Sequence, residues 1–441
     1  MLTRFLKYVI LFSLVGLLFL PQVQLKYHLF SEKPLNGIYL RAISPQNSWK
    51  SWIEGKYQDS LSKYFNENIG TRSTLVRINN QLNFSLFHFY NEKNFLIGKN
   101  NNLFEDYYIN AYKGLDFIGY ANMQRRVEGL QQLQNRFQKL GITFIFVIEP
   151  SKVGVYPEYV PKYYHLTKPD SSNYLTLARI LAEPRYRINV IDFYRYFNLI
   201  KDTVSYPLYP LAGVHWSTFA AQTLVTDSLL RFMEHVSGRH LLSYNLSEVT
   251  WTKKLIPPDN ELAETMNLLS PFPCDPMPYG KYATGDTSGC FYPRVLSIAD
   301  SYYWVIFSFD ILQKTFATHD YWYRFMEFYP SQKYDRKTAD SVEFLRNDLK
   351  NHDFVVLMAT EINLSNLFGF VEKANSFLAS EDQAIPAQTR EELIIRCKSL
   401  IIQDKEWVDL LKEHAKLRNI TLEQMIQNAA EYMVDSENNK K

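Results

Sequence analysis

The chain of 441 residues carries almost no net charge: 48 Lys and Arg stand against 46 Asp and Glu, a formal charge of +2. A protein that binds nucleic acid by neutralising phosphates needs a basic stripe, so nucleic acid is excluded as a partner. Nor is there a metal signature. The nine histidines are scattered, no His-Glu-x-x-His or paired cysteine spacing occurs, and Gly238 interrupts His235 and His240, so no metal is expected. Without a Gly-x-Gly-x-x-Gly or a P-loop there is no ground for a nucleotide, and no cofactor is expected. Cysteines number only three. Cys274 and Cys290 bracket a turn-rich stretch with Pro271, Pro273, Pro276 and Pro278 and could pair in an oxidising compartment, while Cys397 falls in a helical pattern and reads as a buried thiol. Repeats and low-complexity segments are missing too, and with 46% hydrophobic residues the chain is not a disordered one.

What the sequence has in excess is aromatic: 31 Tyr, 30 Phe and 7 Trp make up 15% of it. Tyrosine in that quantity suits a core, a surface that stacks on sugar rings, or a membrane boundary. It also has one apolar run, residues 8–20, preceded by Arg4 and Lys7 and extended by Leu25 past Pro21, Gln22 and Gln24. An uninterrupted run of this length matches a secretory signal core, and a full span needs ~20 residues. No small-x-small cleavage site follows, because Leu18, Phe19, Leu20 and Pro21 are bulky or rigid. An uncleaved anchor over 1–26 is therefore expected, holding the chain to the inner membrane with Lys7 at the cytoplasmic face and the remainder in the periplasm. A cleaved signal peptide with secretion is the alternative.

Residues 27–94 have apolar side chains at helical spacing and read as a membrane-proximal helical region. From about residue 95 strands and helices alternate. Residues 142–148 (ITFIFVI) form a dense apolar run that suits a central parallel strand. Ahead of it, Met123, Val127, Leu130, Leu133, Phe137 and Leu140 fall at helical spacing, and Gly141 ends the helix. Three further buried strands are expected at 187–193, 294–298 and 354–358, with a helix over 217–236. Apolar strands between amphipathic helices imply an α/β fold over 95–388, a three-layer parallel sheet with helices on both faces. The last segment, 389–441, reads as a helical appendage of two helices, 391–417 and 422–433, the second opened by a Thr421/Gln424 capping box.

In a parallel sheet, ligands sit beyond the carboxyl ends of the strands. That rule selects Glu149 to Lys152, Asp192, Asp300-Ser301 and Thr360-Glu361. Ser301 stands at a strand-to-helix turn, where a serine exposes its hydroxyl and neighbouring amides can meet an oxyanion; capping of the next helix by Asp300 or Ser301 is the structural alternative. His215 precedes a helix whose expected N-cap is Ser217, and the positive end of the helix dipole favours the neutral imidazole that a general base needs. Packing of a loop histidine beside Trp216 is the alternative there. Glu149, Asp192 and Glu361 could face one cleft, or form buried salt bridges with Lys152.

Ordered segments carry a resemblance: Ile97-Gly98-Lys99 to Leu103-Phe104-Glu105; Ile148-Glu149-Pro150-Ser151-Lys152 to Tyr156-Pro157-Glu158-Tyr159-Val160-Pro161; His215-Trp216-Ser217; and Ala299-Asp300-Ser301-Tyr302. Over roughly 90–370 the sequence resembles the SGNH-hydrolase-like domain of periplasmic alginate O-acetyltransferases of the AlgJ/AlgX type, with flanking regions like those of exported Bacteroidetes-type relatives. The resemblance implies Ser301 as nucleophile and His215 as general base. The family's orienting aspartate, two residues before the histidine, is Gly213 here, and the glycine of its Gly-Asp-Ser turn is Ala299. Losing the orienting carboxylate of a serine triad costs about 10⁴ in rate. Its role then falls to Asp192, Glu361 or a backbone carbonyl, or the site is a Ser-His dyad, or it no longer catalyses. Asp300 and Lys152 complete the set of supporting residues, and Trp216, Tyr302 and Tyr303 are the aromatics expected to meet a sugar. The resemblance implies an O-acyltransferase, with acetyl as the group carried, that takes it from a membrane-bound O-acyltransferase partner and passes it to an exported polysaccharide. An esterase with the same site and a non-catalytic polysaccharide-binding subunit are the other two readings.

Overall fold

The computed structural model describes residues 2–37, 41–92, 94–167, 169–332, 344–345, 348–383, 390–418 and 420–438. Two strands, Phe95–Ile97 (β1) and Leu103–Glu105 (β2), pair antiparallel ahead of the main sheet. That sheet contains Thr143–Glu149 (β3) and Val190–Asp192 (β4). A long two-stranded ribbon, Tyr244–Thr252 (β5) with Met277–Thr284 (β6), stands apart from it. The sheet is completed by Arg294–Ala299 (β7), Thr318–Tyr323 (β8), Glu327–Tyr329 (β9) and Phe354–Thr360 (β10), in the order β4-β3-β10-β7-β8-β9. All neighbours run parallel except β8 and β9.

The expected α/β architecture is therefore present, with an antiparallel edge that the sequence did not announce. β10 is buried along its whole length and β3 along all but its first residue, as strands covered on both faces must be. Phe144 packs on Phe137 of the helix Tyr120–Lys139, while Ile145 and Val147, pointing the other way, join Phe193, Trp216 and Leu229 in the main core. Period-two alternation thus serves two helical layers at once. Gly141, at φ +76°, takes the left-handed conformation that stops the helix before β3.

Several boundaries differ from expectation. Only Val190–Asp192 of the stretch 187–193 is strand, because Asp192 accepts from Arg195 N and starts the helix Phe193–Ile200. The helix expected over 217–236 is Thr218–Ala220, one wide π turn Ala221–Val225, and Thr226–Ser237. At the N-terminus, helix Leu2–Tyr27 continues through Pro21, and Phe5–Tyr27 is long and apolar enough to cross a membrane. Gly70 lies against its end, where a Cβ would stand 2.3 Å from Pro21 O. Helices Trp49–Ile53, Lys56–Asn68 and Arg72–Phe87 follow.

The chain divides into two compact units, 1–375 and 376–441, the division falling inside the helix Phe370–Gln383; the expected boundary at 388/389 lies outside the described residues. The second unit has its own small core of Ile394, Ile401, Leu411, Ala415, Met425 and Ala430. The single helix expected over 391–417 is two, Arg390–Gln403 and Lys405–Arg418, interrupted at Asp404, which caps the second by accepting from Trp407 N. The helix Leu422–Asn438 begins with the anticipated box, Thr421 and Gln424 each accepting the other's backbone amide.

Candidate active site

The parallel strands β3, β4, β7 and β10 deliver Glu149, Asp192, Asp300-Ser301 and Thr360-Glu361 to one edge of the sheet. Ser301 opens a 3-10 turn, Ser301–Tyr303, at the end of β7. Asp300 is the cap: its Oδ1 accepts from Tyr302 N at 3.2 Å, and its Oδ2 accepts from Thr360 N at 3.1 Å, Thr360 Oγ1 at 2.7 Å and Asn363 Nδ2 at 2.7 Å. With Asp300 spent on the turn and on the end of β10, Ser301 is left to present its hydroxyl. Ala299 needs no positive φ, so the alanine at this position fits the strand without strain.

Two reciprocal bonds clamp the Ser301 turn to the loop carrying His215. Trp216 Nε1 donates to Tyr302 O at 3.2 Å, and Tyr302 Oη donates to Val214 O at 2.9 Å. The donor and the acceptor on the 214–216 side flank His215, so the clamp fixes the imidazole between them. Its Nε2 lies 2.9 Å from Ser301 Oγ, within hydrogen-bond reach. Tyr302 also meets the imidazole edge to face, ring centres 4.7 Å apart.

The other ring nitrogen, Nδ1, lies 2.6 Å from Glu261 Oε1. The same oxygen accepts from Val214 N at 3.0 Å and His215 N at 3.3 Å. Burial works against the Glu261 charge, but His215 and these amides outweigh it and hold the carboxyl below its ordinary range. Burial likewise pulls the His215 pKa down, and the Glu261 charge and hydrogen bond reverse this to a net rise. The helix dipole expected to favour neutral imidazole is overridden by a full charge at contact distance. Ser301, His215 and Glu261 thus form one hydrogen-bonded line.

Glu261 comes from the five-residue helix Glu261–Thr265, which sequence reasoning missed. The only local cue was the turn cluster Pro257-Pro258-Asp259-Asn260 before an acidic residue. Gly213 explains the arrangement sterically: a Cβ there would stand 3.0 Å from Pro210 Cγ, 3.1 Å from Asp259 O and 3.3 Å from Pro258 O. The segment leading to Glu261 fills the space into which an aspartate at 213 would project. Buried Asp259 pins that segment, accepting from Thr218 N at 2.9 Å and Thr218 Oγ1 at 3.0 Å; burial raises its pKa to about 6.

The remaining expected residues have other work. Asp192 caps its helix and accepts from Tyr174 Oη at 3.1 Å. Glu361 accepts from Ser151 N at 2.8 Å and Ser151 Oγ at 2.6 Å, and burial raises its pKa to about 7. Neither touches His215, so neither supplies the orienting carboxylate. Glu149 is fully buried, and burial, with the Asp300 and Glu361 charges beside it, pushes the pKa of its carboxyl well up. Lys152 makes no salt bridge with these acids. Its buried Nζ donates to the carbonyls of Leu103, Pro210, Leu211 and Gly213 at 2.6–3.1 Å and so builds the loop that leads to His215, although burial pulls its pKa well down.

Trp216, Tyr302 and Tyr303, expected to meet a sugar, expose no surface at all. Their rings are core and clamp, because the hydrogen bonds that fix the loops require them to point inward. Tyr156, Tyr159 and Trp304 are half-buried against the same core. Cys274 and Cys290 are not bonded to each other; their thiols donate to Lys253 O and Asp286 O respectively.

Residues 96–253 match the family model ALGX, described as the SGNH hydrolase-like domain of the acetyltransferase AlgX. This stretch of 158 of the 441 residues thus resembles the SGNH hydrolase-like domain of the AlgX acetyltransferase family. The matched stretch contains His215 and ends before Glu261 and Ser301. Among solved structures, the O-acetyltransferase domain of Pseudomonas putida AlgJ is 16% identical, over 64% of this chain and 100% of that one, with a TM-score of 0.38. Pseudomonas aeruginosa AlgX is 14% identical over 66% and 69%, TM-score 0.41, and Bacillus cereus PatB1 11% identical over 57% and 93%, TM-score 0.33. Comparison with curated protein sequences finds no match.

Proposed function

We propose that this protein is an active O-acyltransferase of the AlgX type, with acetyl as the group carried, working through a Ser301-His215-Glu261 triad. The observation that supports it is the unbroken line from Ser301 Oγ through both imidazole nitrogens to Glu261, at 2.9 and 2.6 Å. Glu261 holds the proton on Nδ1, which leaves Nε2 free to accept from Ser301. Ser301 Oγ attacks the donor's acyl carbonyl while its proton passes to Nε2. The tetrahedral intermediate collapses as the leaving group recovers that proton from His215, and an acyl ester remains on Ser301. A sugar hydroxyl then attacks the ester, giving its proton to Nε2, and Ser301 Oγ takes it back on release. The amides of Tyr302 and Tyr303 are bound to Asp300, so the Ser301 amide is assigned to the developing oxyanion.

Position 213, where the family has its aspartate, was the ground for a non-catalytic reading; Glu261 on His215 Nδ1 supports the catalytic one instead. The acyl donor in this proposal is a membrane-bound O-acyltransferase and the acceptor an exported polysaccharide, with the chain held at the periplasmic face of the inner membrane by its N-terminal helix. The full chain in detergent, offered a chromogenic acetyl ester, is expected to give a burst of product that Ser301→Ala abolishes. A burst of unchanged size in that variant would sink the assignment. Addition of an oligosaccharide acceptor is expected to speed turnover and yield acetylated sugar; release of acetate alone would make the protein an esterase.

A further inference from the structure

Glu261 reaches His215 from a helix of five residues, too short to hold its own conformation. What grips that helix therefore decides where the carboxylate lies. From the catalytic side, Asp259 is pinned to Thr218, and Ala263 N donates to Ala212 O at 3.0 Å. The opposite grip comes from a distant part of the chain, the segment that follows the apolar N-terminal helix.

The carbonyls at the end of a helix lack partners within it. Here four donors from residues 36–90 reach carbonyls of the last helical residues and of the turn that follows them. Asn36 Nδ2 donates to Glu264 O at 3.1 Å, Tyr90 Oη to Thr265 O at 2.6 Å, Asn80 Nδ2 to Met266 O at 2.8 Å and Arg77 Nη1 to Leu268 O at 3.1 Å. Asn267 closes the helix in the left-handed conformation, φ +49°, a usual place for asparagine. Its side chain is held on both sides: Oδ1 accepts from Asn36 N at 2.7 Å and Arg77 Nη2 at 3.3 Å, and Nδ2 donates to Asn36 O at 3.1 Å. Arg77, buried at 8% exposure, also donates to Pro34 O at 2.8 Å, so one guanidinium joins the helix Arg72–Phe87, the irregular residues after the apolar helix, and the turn that ends the Glu261 helix.

We propose that the membrane-proximal segment 31–90 is a positioning element of the active site, with Arg77 and Asn36 as positioning residues that hold Glu261 on His215 by capping its helix. The proposal rests on the acyl-transfer reading for its consequence, though not for its geometry. Undocking of this segment loosens Glu261, so the state of the membrane-side chain sets the activity of the triad.

The test uses full-length protein in nanodiscs, with Arg77→Met and Asn36→Ala, and reads two quantities: the acylation rate with a chromogenic ester, and the titration of His215 followed by NMR on labelled histidine. Both variants are expected to slow acylation, Arg77→Met on the order of tenfold, and to move the His215 midpoint down towards the ordinary histidine range. In a Glu261→Gln background Arg77→Met is expected to add almost nothing, since the contact it protects is gone. Unchanged rate and midpoint in both variants, or an undiminished loss in the Glu261→Gln background, would overturn the proposal. Should Arg77→Met fail to fold, exposed Asn36 carries the same two outcomes alone. If wild type shows no Ser301-dependent chemistry, the functional reading fails while the His215 midpoint still decides the positioning claim.

Discussion

Two serine-histidine assemblies lie within a few residues of each other, and they differ in what surrounds the imidazole. Ser301 and His215 meet directly, and Glu261 holds the far nitrogen. Ser297, on the buried face of β7, donates to Tyr303 Oη at 2.6 Å, which in turn lies 2.6 Å from His319 Nε2. His319 is 2% exposed, with the rings of Phe307 and Phe316 each about 5.1 Å away. Burial there drives its pKa down to about 3, whereas the carboxylate beside His215 turns the same tendency into a rise. Burial alone disfavours the charged imidazole; the carboxylate partner offsets that and suits His215 to the role of base proposed for it.

The largest test of that contrast is Ser301→Ala, expected to lower acylation by on the order of 10⁶, measured in pre-steady-state bursts. Glu261→Gln follows, with a loss of about 10³ to 10⁴ and a further signature in the pH profile. In the proposed mechanism neutral His215 is the active form, and Glu261 raises its pKa, so wild-type activity is expected to climb as pH rises through a value above the ordinary ~6.5. In the variant that limb is expected at lower pH; a limb that stays in place would show that Glu261 does not govern the imidazole. His319→Leu is expected to leave acylation within about twofold and to cost about 1–3 kcal/mol in denaturant unfolding at pH 7. Its sign with pH is fixed: the unfolded chain binds a proton below ~6.5 that folded His319 refuses down to about 3, so wild type loses stability on acidification. The leucine variant lacks this loss, and the gap between the two narrows towards pH 4. Ser297→Ala is the smallest, about 1 kcal/mol with no change in rate. Slowing by either inner substitution to the extent of Glu261→Gln would erase the distinction.

The sheet was readable because β3, β7 and β10 are continuous apolar runs. β8 escaped notice because Thr318, His319 and Asp320 break its apolar pattern, and the β5–β6 ribbon because most of β5 faces away from the core: of its nine residues only Tyr244 is buried. Ser301 and His215 were legible from local boundaries, a strand end and a helix start. Glu261 was not, since it is separated from His215 by 46 residues and sits on a helix with too few turns to leave a period. The aromatics misled in the opposite way. Their number is visible in composition, but whether a ring faces a ligand or braces a loop depends on which carbonyl its polar tip can reach.

By itself the sequence determined the apolar N-terminal helix, the parallel sheet and the residues placed at its carboxyl edge, because these follow from short-range periodicity and from the geometry of parallel strands. Only the tertiary structure decided which carboxylate meets His215, and that the chain just beyond the N-terminal helix caps the short helix bearing it. Those choices rest on single hydrogen bonds between segments far apart in the chain, made where Gly213 leaves room for the segment from Pro258 to Glu261, and no local pattern encodes such a meeting.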